Sequence, residues 1–192
     1  MINSTLSEYL LSVDNLRNLV RYQTAPRVAS ESVAEHSFFV TAYVLKLYDY
    51  FNFDLEKAMK MSILHDFAES YISDVPHPIK KKFPIIQEQL DKAEYEVNSK
   101  YIGKEFADNI IEFNNCTSAE GIMVALADIL SVISYSKYEI ELGNSHYMND
   151  VYHKANVRLT SILDISRPYL KKDIDIMDIL DEIDNFMKAD YI

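Results

Sequence analysis

Turn-forming residues are scarce in this chain, which has three glycines and five prolines among its 192 residues. Sandwiches and barrels need many turns, and Gly and Pro are the residues that most often supply them. Apolar residues instead recur at intervals of three and four, which is the period of an amphipathic helix. The length is that of one ordinary domain. We therefore expect an all-α fold, with residues 1–192 forming a single helical domain.

The N-terminal third of the sequence predicts two helices separated by a loop. An apolar stripe indicates a helix over residues 3–20, and a proline-containing loop follows over residues 21–29. Ser32 and Glu35 have the spacing of a capping box, in which each side chain bonds the backbone of the other residue. The second helix should therefore begin at this box, which places His36 in its first turn.

The rest of the sequence predicts further helices of ordinary length. Asp54 can cap a third helix that continues to about residue 71, so His65, Asp66 and Glu69 are expected in its last two turns. A stretch from Asp74 to Pro78 stops that helix. The remaining apolar periodicity indicates helices over residues 85–101, 104–114, 118–142, 146–166 and 174–188.

Composition limits the cellular setting and the partners. Cys116 is the only cysteine, so no intramolecular disulfide can form and a reducing, cytoplasmic setting is expected. We expect neither export nor membrane insertion, since the sequence shows no leader pattern and no long uncharged apolar run. A net charge of −11 opposes binding to duplex nucleic acid, although a cation inside a cleft would still allow a small phosphorylated ligand.

Four residues combine types that bind divalent cations. His65 and Asp66 are adjacent, and two such side chains can serve as nitrogen and oxygen ligands, although an isolated pair is more often structural. Asp128 is the one acid in an apolar run from Gly121 to Ile133, and a buried carboxylate needs a cation, a basic partner or a proton. Glu69, four residues after His65, suits a general base, but a solvated acid has the same spacing.

The order His36, His65-Asp66, Asp128 resembles the His…His-Asp…Asp signature of the HD-domain metal-dependent phosphohydrolases. The YfbR-like 5'-deoxynucleotidases of bacteria are similar over longer blocks. These blocks are residues 16–22, 32–37, 65–69, 73–80, 127–130 and 139–144. The resemblance implies an HD-domain helical bundle with its metal site in a central cleft, with motifs over residues 16–144 and C-terminal helices over 146–190.

The same resemblance implies roles for single residues. His36, His65, Asp66 and Asp128 would bind one divalent metal, and His36, Asp66 and Asp128 would also border the substrate. Mn, Co, Fe, Ni and Zn all accept such ligands. Glu69 would orient or deprotonate the attacking water, and Arg21 would hold the phosphate. Asp74, with Val75 and Pro76 beside it, would contact the deoxyribose and exclude a 2'-hydroxyl.

Two positions depart from the pattern of the bacterial nucleotidases. Tyr22 stands where Trp is usual, and His77 stands where Thr is usual. Both are expected to border the substrate, so base tolerance can differ from that of the family. The Lys80 to Lys82 run is expected to be a solvated basic patch.

The activity implied by the resemblance is removal of the phosphate from deoxyribonucleoside 5'-monophosphates, by an enzyme that is a homodimer. The first alternative is an HD-type triphosphohydrolase of deoxynucleoside triphosphates, or a phosphodiesterase, using the same ligands. An alternative of another class is a helical regulatory module whose metal is structural.

Overall fold

The computed structural model describes residues 4–189, without the side chains of residues 77, 78 and 81. Within these residues the chain is helical, and its only strand-like pairings are the isolated bridges Val20–Ser32 and Phe51–Leu170. The all-α prediction is confirmed. The helices are α1 (Leu6–Asn15), α2 (Val33–Leu47), α3 (Leu55–Leu64), α4 (Glu69–Ile72), α5 (His77–Lys82), α6 (Pro84–Tyr101), α7 (Lys104–Asn115), α8 (Ala119–Glu141), α9 (Ser145–Ser166) and α10 (Ile176–Lys188).

The first helix is shorter than the predicted span of residues 3–20. It begins after a Thr5 cap and ends at Asn15. The chain then pairs with the start of α2, because the Val33 amide donates to the Leu19 carbonyl at 2.9 Å and Val20 bridges to Ser32. These bonds require an extended backbone at Val20, which an apolar repeat does not reveal.

The third helix ends earlier than predicted, at Leu64 instead of about residue 71. Residues 65–68 form tight turns, in which the Phe67 amide donates to the Leu64 carbonyl and the Glu69 amide donates to the Asp66 carbonyl, both at 3.0 Å. A separate short helix, α4, begins at Glu69. The prediction that His65, Asp66 and Glu69 share one helix is therefore wrong: a change of backbone geometry separates Glu69 from the other two.

Helix α8 forms the centre of the fold and packs against α2, α3, α7 and α9. Its apolar side chains from Ile122 to Ala127 are almost completely buried. Among the described residues it is the one helix long and apolar enough to cross a membrane, but 67% of its most apolar window is buried inside the protein. That burial is typical of a core helix.

The first turn of α8 lies very close to the last turns of α7. A Cβ atom added to Gly121 would lie 2.7 Å from the backbone oxygen of Glu112 and 2.9 Å from its carbonyl carbon. Backbone atoms cannot move aside as a flexible side chain can. Glycine is therefore required here by the approach of two helices, since no φ in the left-handed region is involved.

Replacing Gly121 by Ala gives two effects of opposite sign. Helix propensity alone would stabilise the protein by about 1 kcal/mol, whereas forcing a methyl into a filled contact costs about 1–3 kcal/mol. We expect Gly121→Ala to lower the free energy of unfolding, measured by urea denaturation. A more stable variant would show that α7 and α8 are not in contact as described.

Candidate metal centre and its cleft

Three helices bring the four predicted ligands together. His36 lies in the first turn of α2, His65 and Asp66 follow the end of α3, and Asp128 lies in the middle of α8. His36 Nε2 is 3.2 Å from Asp128 Oδ1 and 3.8 Å from Asp66 Oδ2, and His65 Nε2 is 3.2 Å from Asp66 Oδ2. Potential ligand atoms of His36, His65 and Asp66 all lie within 4.8 Å of one another.

The first turns of α2 and α3 are fixed by local bonds. The predicted capping box at the start of α2 is present, with the Glu35 amide donating to Ser32 Oγ at 3.2 Å and the Ser32 amide donating to Glu35 Oε2 at 2.7 Å. Predicted capping of α3 by Asp54 is likewise confirmed. Both helix starts are therefore defined by side-chain caps that the sequence reveals.

Both imidazole rings are oriented through their Nδ1 atoms. His65 Nδ1 donates to the Ser62 carbonyl at 2.7 Å, and His36 Nδ1 lies 3.0 Å from Ser131 Oγ. The Nε2 atoms of His36 and His65 are buried and have no hydrogen-bond partner. An imidazole whose Nδ1 is engaged and whose Nε2 is free is the usual arrangement of a metal ligand. The residues present therefore fit a divalent cation.

Burial and the charges of neighbouring groups set the electrostatics of the cluster. Burial, with repulsion from Arg21, lowers the pKa of His36 to about 4. Burial alone would also lower the pKa of His65, but the Asp66 carboxylate outweighs it and raises that pKa to about 9. Burial opposes ionisation of Asp128 as well, yet the adjacent His36 ring holds the pKa of that carboxyl below its usual value. Both carboxylates are charged, as a cation requires.

The cluster borders a cleft of about 910 Å³. Glu69, Asp74 and Val75 line the same cleft, on the side formed by α4 and the turn after it. Burial, with repulsion from Asp66 and Asp74, raises the pKa of Glu69 to about 9. Ser73 ends α4 with a φ of 65°, and this left-handed residue starts the turn that carries Asp74.

Arg21 lies on the cleft lining beside the four predicted ligands. Its guanidinium bonds Glu31 Oε2 at 3.1 Å, and its backbone amide donates to the Glu31 carbonyl at 2.9 Å. The side chain is 16% exposed, and the nearby carboxylates, together with Tyr22 and against the effect of burial, hold the pKa of Arg21 above its usual value. Arg21 thus presents a fixed positive charge to the cleft.

Three residues predicted to touch the substrate are not found among the described residues that line the cleft. Tyr22 is not among the residues that line the cleft; its ring stacks on Tyr135, with centroids 5.1 Å apart. Pro76 is also outside the lining and precedes α5. His77 begins α5, but its side chain lies outside the described residues.

Several cleft residues were missed from the sequence. Lys80 lines the cleft and is half-buried, so it is less solvated than predicted for the Lys80 to Lys82 run. Glu94 on α6 accepts a bond from the Asn114 amide at 3.3 Å, and burial raises the pKa of Glu94 to about 7. Ser131 contacts His36 but does not line this cleft; it could have been found, because it lies one helical turn after Asp128.

Known proteins are similar to this chain in sequence and in structure. A 5'-deoxynucleotidase of Pasteurella multocida (strain Pm70) is 23% identical over 154 residues, which cover 74% of this chain and 79% of the relative. A crystal structure of a Pyrococcus horikoshii OT3 protein is 27% identical, with a TM-score of 0.70 over 95% of this chain and 98% of that one.

A third comparison is with a solved structure that contains ligands. This is the HD phosphohydrolase of cyanophage S-2L, bound to dA and one catalytic Zn²⁺ ion. It is 16% identical, with a TM-score of 0.67 over 98% of this chain and 99% of that one, a likeness of fold. A family model described as the HD domain matches residues 13–177, so this chain belongs to the HD domain family.

Proposed function

We propose that this protein is a metal-dependent phosphohydrolase that removes the phosphate from deoxyribonucleoside 5'-monophosphates. The observation that carries the proposal is the pair of buried, unpartnered Nε2 atoms of His36 and His65, facing two carboxylates in a cleft that also contains Arg21. A structural metal would not require an arginine and a further buried acid on the same lining. This combination favours an enzyme over a regulatory module.

His36, His65, Asp66 and Asp128 would hold the cation. When bound, a divalent cation supplies positive charge for a phosphate oxygen and makes a water molecule more acidic. Arg21 offers a planar guanidinium that grips two phosphate oxygens and stabilises the charge that develops on them. Its bond to Glu31 fixes the side chain before the substrate arrives, so little rotamer freedom is lost on binding.

Glu69 is the group on this lining best suited to take a proton from water. Its carboxyl is mostly buried, and its raised pKa means that it binds a proton strongly. Positive charge nearby lowers such a pKa and leaves the carboxylate free to act as base. Asp66 and Glu69 both line the cleft, but Asp66 lies in the turn of residues 65–68 and Glu69 begins α4. Glu69 therefore does not continue the helix that leads to His65 and Asp66.

The assignment of a nucleotide as substrate rests on the relatives and on the size of the cleft. The Pasteurella relative carries the name 5'-deoxynucleotidase, and the cyanophage protein binds dA. A cleft of about 910 Å³ is at the upper end of small-molecule sites and has room for a nucleoside as well as a phosphate. Asp74, Val75 and Lys80 line the part beyond Glu69, and Asp74 would contact the sugar.

A substrate screen tests the proposal directly. Purified protein, with Mn²⁺, Co²⁺ or Zn²⁺ supplied in turn, is assayed against dAMP, dTMP, AMP, dATP and a cyclic phosphodiester. We expect inorganic phosphate from dAMP and dTMP at rates well above those for AMP, with loss of turnover on chelation. Tripolyphosphate released from dATP, or cleavage of the diester alone, would instead favour the alternative HD-type activities.

Two substitutions should separate proton transfer from metal binding. Because Glu69 is proposed to handle the proton only, Glu69→Gln should bind Mn²⁺ normally in calorimetry yet lose roughly 10²–10⁴-fold in kcat. Asp128→Asn removes a proposed ligand, so the metal affinity itself should fall.

Matched controls are available on the protein surface. Glu56→Gln and Asp150→Asn make the same chemical changes at side chains that are 77% and 65% exposed. Both should leave turnover and Mn²⁺ affinity unchanged. An active Glu69→Gln enzyme would remove Glu69 from the mechanism, whereas unaltered metal affinity in Asp128→Asn would remove Asp128 from the ligand set.

A further inference from the structure

The loop that follows Arg21 contains no helix or strand of its own. Residues 21–31 run from the bridge at Val20 to the bridge at Ser32, and most of their side chains are exposed or half-buried. Val28, near the tip, is 61% exposed. A loop of this kind is usually among the more mobile parts of a protein. Yet its neck holds Arg21, whose guanidinium must be kept in place to grip a phosphate.

Glu139, near the end of α8, supplies the missing support. Its side chain is completely buried. One carboxylate oxygen accepts from the Ala29 amide at 2.6 Å, and the other accepts from the Val28 amide at 2.8 Å and from Asn144 Nδ2 at 2.7 Å. Burial alone would raise the pKa of Glu139, but these donors outweigh it and lower that pKa. The charged carboxylate therefore forms strong bonds to the loop backbone.

Two further side chains at the same end of α8 bind the loop carbonyls. The Tyr135 hydroxyl donates to the Ala29 carbonyl at 2.8 Å, and Asn144 Nδ2 donates to the Pro26 carbonyl at 2.9 Å. The Tyr135 ring also stacks on Tyr22, the residue next to Arg21. The loop is thus held at its amides by Glu139, at its carbonyls by Tyr135 and Asn144, and at the Tyr22 ring by Tyr135.

Contacts lead from this support to the guanidinium. Ala29 is two residues before Glu31, which bonds both the backbone and the side chain of Arg21. Release of Ala29 would free the segment that positions Glu31. Tyr22, with a left-handed φ of 57°, would lose the fixed surface on which its ring stacks. Arg21 would then keep its charge but lose its fixed orientation.

The support and the candidate metal centre share one face of one helix. Ser131, Tyr135 and Glu139 follow Asp128 by three, seven and eleven positions, which is the spacing of a single helical stripe. Asp128 and Ser131 serve the candidate metal centre, whereas Tyr135 and Glu139 serve the loop. Helix α8 is buried in the core, so the two ends of this stripe are held at a fixed separation.

We propose that Glu139 is a positioning residue for phosphate binding, which fixes the loop of residues 22–30 so that Arg21 stays aimed at the substrate phosphate. This inference rests on the proposed function for its substrate, but its contacts are those of the free protein. Glu139 would touch neither substrate nor metal.

The test compares Glu139→Gln with Glu141→Gln, the same change two residues on at a side chain that is 39% exposed. A Gln side chain has one oxygen that can accept, and its NH2 group cannot accept from a loop amide. Hydrogen exchange at Val28 and Ala29 should therefore become faster. Binding of inorganic phosphate to the Mn²⁺-loaded protein, measured by calorimetry, should weaken roughly tenfold, the size expected for bonds to a charged group. Mn²⁺ affinity should stay unchanged, as should every measurement on Glu141→Gln.

A double-mutant cycle decides whether Glu139 acts through Arg21. If it does, adding Glu139→Gln to Arg21→Ala should cause little further loss of phosphate affinity, because coupled residues are not additive. If the two losses of phosphate affinity add fully, Glu139 does not act through Arg21 and the proposal is overturned. A parallel fall in Mn²⁺ affinity and melting temperature would also overturn it, because Glu139 would then have only a general structural role. Should Glu139→Gln fail to fold, Tyr135→Phe removes one loop bond and should give a smaller effect of the same kind.

The outcomes also separate this inference from the proposed function. If the wild-type protein hydrolyses no phosphoester, the proposed function fails, while exchange at Val28 and phosphate binding still report on Glu139. If turnover is normal and Glu139→Gln leaves both exchange and phosphate affinity unchanged, the positioning role is refuted and the enzyme assignment stands.

Discussion

The desolvated contact between two imidazoles and two carboxylates is the constraint on which the rest of the structure depends. Placing a charge out of water without a counter-charge costs several kcal/mol. Here the Asp66 and Asp128 side chains, 25% and 27% exposed, lie against the buried rings of His36 and His65. Attraction between His65 and Asp66 offsets part of this cost and raises the pKa of His65. Apolar packing offsets this cost, because three helices converge on the cluster and their packing around α8 holds the charged groups together.

The sequence revealed those parts of the site that depend on local chemistry. Ser32 and Glu35 form a capping box whose bonds lie within one helical turn. The four residues from Ser32 to Glu35 were therefore enough to predict that His36 lies in the first turn of α2. Asp128 was conspicuous because each of its neighbours is apolar. Such features need no knowledge of distant contacts.

Other parts depended on contacts far apart in sequence and could not be predicted. The tight turns at residues 65–68 interrupt an apolar repeat that would otherwise suit one long helix, and Phe67 and Ala68 are buried in them. Lys80 lies in the cleft because α5 packs against α6, which a lysine run does not indicate. Glu139 is separated by about a hundred residues from the amides that it binds, so its role was visible only in the fold.

The two linings of the cleft differ in how rigidly they are held. Helix α8 carries Asp128, Tyr135 and Glu139, and its side chains fill the core, so a shift of any of these residues would disturb the packing of the bundle. The opposite lining is built from the short helices α4 and α5 and from α6, which has few buried residues. Substitutions on that lining change the shape and charge of the cleft while leaving the core packing around Asp128 in place. The candidate metal ligand Asp128 thus lies on the lining with the more extensive core packing, whereas Glu69 lies on the other.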